Sequence, residues 1–161
     1  MSRTGSYSEQ LEGTLQGDGV QVALVVSRFN GDISERMMAS AVRTLGRHGV
    51  KDDHMEIFRV PGAWELPQVA AQLAEQGVVD VIIAIGCVIR GETSHYDIVA
   101  GEAARGLMDV ALGSGVPVIL GLLTTENREQ AEERADPDRL DKGAEVALAA
   151  LEMAALYRSG G

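Results

Sequence analysis

The chain has a single cysteine among its 161 residues. Cys87 can form no internal disulfide, and no cysteine pair is present to ligate zinc. A reducing, cytoplasmic setting is the expectation. No apolar run reaches the length of a membrane span, and no apolar stretch follows the polar first residues, so neither a membrane anchor nor a secretory leader is expected. Cations are scarce. The formal net charge is −10, which argues against a nucleic-acid partner, because phosphate backbones need clustered lysine and arginine. An anionic small molecule would need local positive charge against that field. His48, His54 and His95 fall in three separate segments without metal-ligand spacing, so no metal is expected. Neither GxxxxGK[ST] nor GxGxxG after a strand occurs, which removes most support for ATP and dinucleotide cofactors.

The rest suits one globular domain. Apolar residues make up 45% and charged residues 24%, enough to bury a core at this length. Residues 1–19 are polar and rich in glycine and serine, and read as an N-terminal arm with a short strand near 11–15. Residues 20–158 read as the domain, and 159–161 as a flexible tail. Strand-like and helix-like segments then alternate. Strands are expected at 21–26, 55–60, 78–85 and 116–123. Ile33, Met37, Ala41 and Leu45, with Met38 and Val42 beside them, make an amphipathic helix. Asn30 or Asp32 can cap it and Gly49 can close it. Further helices are expected over 67–75 and 95–114, the latter with Ile98, Val99, Ala103, Leu107 and Val110 on one side. A short helix follows an Asn127–Gln130 capping box. A last helix would start at Pro137, capped by Asp136, and bury Ala144, Ala147, Leu148, Leu151 and Ala155. The alternation predicts an α/β fold, a three-layer αβα sandwich around a mainly parallel four-stranded sheet.

Every chemistry-bearing cluster falls after a strand, where open α/β sheets bind ligands. These clusters are Arg28-Phe29-Asn30, Gly62-Ala63-Trp64-Glu65, the run from Cys87 to Asp97, and Thr124-Thr125-Glu126-Asn127. The third holds a guanidinium, glycines with backbone donors, two hydroxyls and an imidazole, the means to bind a phosphate and move a proton. Histidine can donate and accept protons near neutrality. A lone histidine at a helix start is also commonly structural. Phe29 and Trp64, in a chain with 4% aromatics, would stack on a flat heterocycle or cap the core edge; the pattern leaves both open. On spacing alone Arg134 reads as a surface residue paired with Gln130 or Asp138.

Five blocks in register carry a family resemblance. They are Arg28-Phe29-Asn30, residues 60–67, residues 86–97, residues 115–121 and Leu123-Thr124-Thr125-Glu126-Asn127. Together they resemble the lumazine synthases over about residues 22–156. The resemblance implies a flavodoxin-like fold and the penultimate step of riboflavin biosynthesis. In that step 5-amino-6-(D-ribitylamino)uracil condenses with 3,4-dihydroxy-2-butanone 4-phosphate to 6,7-dimethyl-8-ribityllumazine, releasing phosphate and water, with no cofactor. It assigns Phe29, Ala63, Trp64, Glu65, Cys87, Val88, Ile89 and Leu120 to the pyrimidine and its ribityl chain. Glu92, Thr93 and Arg134 fall to the butanone phosphate, and His95 to proton transfer. Asn30 and Lys142 are further candidates. It also implies a site shared between neighbouring subunits of a homopentamer, the Leu120 and Arg134 side coming from the neighbour. Such pentamers stand alone or assemble into a sixty-subunit shell, and riboflavin synthase is the implied protein partner. Two departures stand out. Leu120 occupies a position often aromatic, and residues 135–141 replace a more usual glycine- and lysine-containing turn. The alternatives are a flavin-binding carrier, a cage protein without catalysis, and an archaeal-type riboflavin synthase of related fold.

Overall fold

Six consecutive buried residues form the first strand, β1 (Val22–Ser27), as expected of a strand covered on both faces. The computed structural model describes residues 15–158; the strand expected near 11–15 and the tail at 159–161 lie, but for Leu15, outside them. The elements continue α1 (Gly31–Arg47), β2 (Met55–Val60), α2 (Leu66–Gln76), β3 (Val81–Ile89), α3 (His95–Ser114), β4 (Val118–Thr125), α4 (Arg128–Ala135) and α5 (Lys142–Arg158). The sheet is wholly parallel, in the order β2-β1-β3-β4. This is the flavodoxin-like order, in which the chain reverses direction across the sheet between β1 and β3. Among the described residues no helix is long and apolar enough to cross a membrane.

The pleat sorts the core into two layers. Val22, Leu24 and Val26 join α1, α4 and α5 on one face, while Ala23 and Val25 join α2 and α3 on the other. The expected stripe of α1 is buried throughout: Ile33, Met37, Ala41 and Leu45 are at most 1% exposed. Gly143 lets α5 close on α1. A Cβ there would lie 2.9 Å from the Ser40 Cβ and closer still to the Met37 carbonyl oxygen. Gly143→Ala is therefore expected to cost about 1–3 kcal/mol by overpacking, read as a lower urea midpoint with an unchanged m-value.

The local boundaries need correction. β3 starts at Val81 rather than 78 and continues through Gly86 to Ile89. Gly86 lies inside the strand as a close-approach glycine: a Cβ there would meet the Ser27 hydroxyl at 2.9 Å. Pairing with β3 likewise carries β4 to Thr125, opposite Ile89. The last helix starts five residues later than expected. The Asp136 carboxylate accepts the Asp138 N–H (2.8 Å) and its carbonyl accepts those of Arg139 and Asp141 (both 3.0 Å), which closes a separate turn. Asp141, in the left-handed region at φ 48°, opens α5 instead. Its carboxylate accepts the Ser40 hydroxyl (2.5 Å) and the Ala144 N–H (3.4 Å). The buried face of α5 shifts accordingly: Gly143, Val146, Ala150 and Ala154 join it, Ala144 is half-buried and Ala155 is exposed.

α3 is apolar on two faces, one covered and one turned away from it. Ala103 and Leu107 are buried, whereas Ile98, Met108 and Leu112 are 54%, 58% and 77% exposed. The capping box at α4 forms. The Asn127 side chain accepts the Gln130 N–H (2.9 Å), and the Gln130 side chain accepts the Glu126 N–H (2.8 Å). It fixes the helix that carries Arg134.

Candidate active site

Parallel strands bring the loops after β1, β2 and β3 to one rim, where a cleft of about 590 Å³ opens. Phe29 arrives at the end of β1. The loop backbone prolongs the β1–β2 pairing, with Arg28 N–H donating to Val60 O (2.7 Å) and Phe29 N–H to Pro61 O (3.0 Å). This holds the Phe29 ring 72% exposed at the mouth. A 3₁₀ turn over Ala63–Glu65 leads into α2; it buries Ala63 and leaves Trp64 49% exposed. Exposure of this size leaves both rings available to a flat ligand.

The floor is the end of β3, with Cys87, Val88 and Ile89 in the lining. Burial pushes the Cys87 thiol from 9.0 up to about 11, so the thiol is neutral and unreactive at physiological pH. The cysteine contributes its backbone: its carbonyl accepts the Asn30 side-chain amide (3.0 Å). The buried thiol makes stability depend on pH. The unfolded chain loses its thiol proton first, so the contribution is intact below about pH 9 and lost as pH rises through about 11. Allowing for water at the strand end, about 1–2 kcal/mol should disappear over that window. Urea midpoints at pH 8 and pH 11 check it: the drop should be smaller in Cys87→Ala, since every other titrating group is common to both proteins.

Thr93, His95 and Tyr96 line the remaining wall. His95 is the first residue of α3. Its backbone N–H donates to the Thr93 hydroxyl (3.3 Å), and its ring lies at the exposed mouth. Glu92 is exposed and lines neither this cleft nor the next.

Arg134 and Lys142 lie elsewhere. They share a second cleft of about 350 Å³ with Leu122, Leu123, Thr124, Leu140 and Glu145. The Arg134 guanidinium donates to the Gln130 carbonyl (3.2 Å) and makes no ion pair among the described residues, so the pairing with Asp138 does not form. Lys142 pairs with Glu145 (3.0 Å). Leu120 is 47% exposed on β4 and lines neither cleft. One chain thus brings together the aromatic, backbone and imidazole groups, and holds the Arg134 guanidinium in a different depression.

Arg90 looked available for an anion in sequence. In the structure it is engaged. Its guanidinium meets Glu126 (2.9 Å) and Asp97 (3.5 Å) and lies over the Tyr96 ring at 4.4 Å. The Glu126 hydrogen bond raises its pKa further. Arg90 ties the end of β3 to the first turn of α3 and the loop before α4. Tyr96, Ile98 and Val99 also line the first cleft and were not singled out as ligand contacts. The signal for them was their place in the first turn of α3, beside His95.

Residues 19–158 match the family model described as 6,7-dimethyl-8-ribityllumazine synthase. A 6,7-dimethyl-8-ribityllumazine synthase of Chlorobium chlorochromatii is 47% identical over 152 residues, covering 94% of this chain and 98% of the relative. One of Chlorobium phaeobacteroides is 48% identical over 150 residues, covering 93% and 97%.

Proposed function

Because the chain belongs to the 6,7-dimethyl-8-ribityllumazine synthase family, we propose that the two clefts are the two halves of its active site. The protein is a transferase of riboflavin biosynthesis. It condenses 5-amino-6-(D-ribitylamino)uracil with 3,4-dihydroxy-2-butanone 4-phosphate to 6,7-dimethyl-8-ribityllumazine. The pyrimidine lies in the first cleft between Phe29 and Trp64, over the end of β3 at Cys87, Val88 and Ile89. Ala63 and Glu65 hold the ribityl chain, and Lys142 borders the site. Arg134 binds the phosphate of the second substrate, with Thr93 and Glu92 near it.

The observation that carries this reading is the separation itself. The aromatic cleft has no free cation, and the Arg134 cleft has neither an aromatic ring nor an imidazole. Each supplies what the other lacks, so a complete site arises when the Arg134 cleft of one copy meets the aromatic cleft of the next. Such head-to-tail contacts close into a ring, here a pentamer, with Leu120 brought in beside Arg134. The exposed apolar side of α3 supports association, since scattered surface apolar residues rarely gather on one helix without a partner. Whether pentamers build a larger shell is a separate outcome, read by sedimentation.

The chemistry follows from the groups gathered. The aromatic amine attacks the ketone, and loss of water gives an imine. Phosphate then leaves, the enol tautomerises, and the second nitrogen closes the ring with loss of a second water. Holding both substrates in register can supply about 7–11 kcal/mol at best. Arg134 balances the charge of the departing phosphate, and His95 moves the proton. The direct test is to mix both substrates with the purified protein and follow lumazine fluorescence. Enzyme-dependent product formation is expected; its absence in the folded protein would reject the reading.

A further inference from the structure

We infer that Asn30 is a positioning residue that sets which backbone edge of β3 the pyrimidine meets; this rests on the reading of the first cleft given above. β1 pairs with β3 only as far as Val26 opposite Ile85, while β3 continues to Ile89. Hydrogen-bond direction alternates along β3. Val81 N–H donates to Gln21 O on the β1 side, whereas Ile82 N–H and Arg90 N–H donate to Pro117 O and Thr125 O on the β4 side. Odd-numbered residues therefore face β1. Cys87 and Ile89 turn their backbone groups toward a strand that has already ended, and buried backbone groups need partners.

Asn30 supplies one. It is the N-cap of α1, yet its side chain makes no capping hydrogen bond. Its backbone lies in the left-handed region (φ 56°, ψ 41°), where asparagine is among the few side chains that settle readily. From there its amide reaches the Cys87 carbonyl at 3.0 Å, while its own carbonyl accepts the Ile33 and Ser34 N–H groups (3.0 and 3.2 Å). Asn30 replaces the missing β1 residue opposite Cys87. It also ties the Phe29 loop to the strand end, which sets the gap between ring and floor. The Ile89 backbone is then the β1-side edge left for the ligand.

Steady-state kinetics with both substrates, together with hydrogen exchange on the ligand-free protein, tests this. Asn30→Gly keeps the left-handed backbone accessible and removes only the amide. It should raise the KM for the aminopyrimidine roughly three- to tenfold, the worth of one hydrogen bond, and leave the KM for the butanone phosphate unchanged. Exchange should quicken in residues 86–90 before any substrate is present. Asn30→Asp, which sets an acceptor against the Cys87 carbonyl, should be worse than glycine. Equal rises in both KM values, or no rise, would overturn the proposal. So would unchanged exchange in the free protein, which would make Asn30 a direct substrate contact. Failure of the functional reading is distinguishable, because the unmodified protein would then form no lumazine.

Discussion

His95→Ala is expected to lower kcat by roughly 10²–10⁴-fold without abolishing turnover, the range that a positioned proton carrier contributes. The residue is exposed at the start of α3, and its backbone, not its ring, makes the hydrogen bond to Thr93. Truncation should therefore leave the fold and the cleft intact. The remaining rate comes from holding the amine against the ketone, which no single side chain provides. Both KM values should change little, since the imidazole acts on the moving proton rather than on binding. Stopped assays of lumazine formation, with circular dichroism to establish folding, check this. Complete loss of activity in a folded variant would contradict the division of labour, and so would an unchanged kcat.

Arg134→Ala has a different signature. It should raise the KM for the butanone phosphate roughly 10–100-fold, because charge-assisted hydrogen bonds to a phosphate are lost. The KM for the aminopyrimidine should stay within about twofold, since that substrate lies on the other half-site. The guanidinium has no carboxylate to release among the described residues, so its charge is already available for the anion. In a chain of net charge −10 no diffuse positive field would compensate for its loss. Arg134→Lys should recover only part of the affinity, because a point charge replaces a planar fork. An unchanged butanone phosphate KM in Arg134→Ala would remove the residue from the phosphate site.

Much of this was legible in the residues. The four-residue recurrence of Ile33, Met37, Ala41 and Leu45 marked a buried helix face, and the structure buries all four. The continuous apolar runs marked parallel strands because neither face of such strands meets water. Boundaries failed where one signal has two meanings. Gly86 looks like a turn glycine but serves close packing inside β3. Asp136-Pro137 looks like a helix start, yet the carboxylate closes its own turn. At the site, the aromatics, the β3 floor and His95 could be gathered from their places after strands. The fate of Arg90 could not, since its partners Glu126 and Asp97 lie on other elements and only tertiary structure brings them together. For the same reason local spacing said nothing of the distance between Arg134 and His95.

The central claim is that a working site takes its two clefts from two chains, and complementation measures it most directly. His95→Ala subunits have an impaired first cleft and an intact second; Arg134→Ala subunits are the reverse. The two are unfolded together in equal amounts, co-refolded, and assayed at butanone phosphate well below its KM for Arg134→Ala. A shared site predicts that about a quarter of the interfaces combine two intact halves by random assembly, so activity rises well above that of either variant refolded alone. Activity equal to the average of the two separate preparations would contradict the account and place the whole site within one chain.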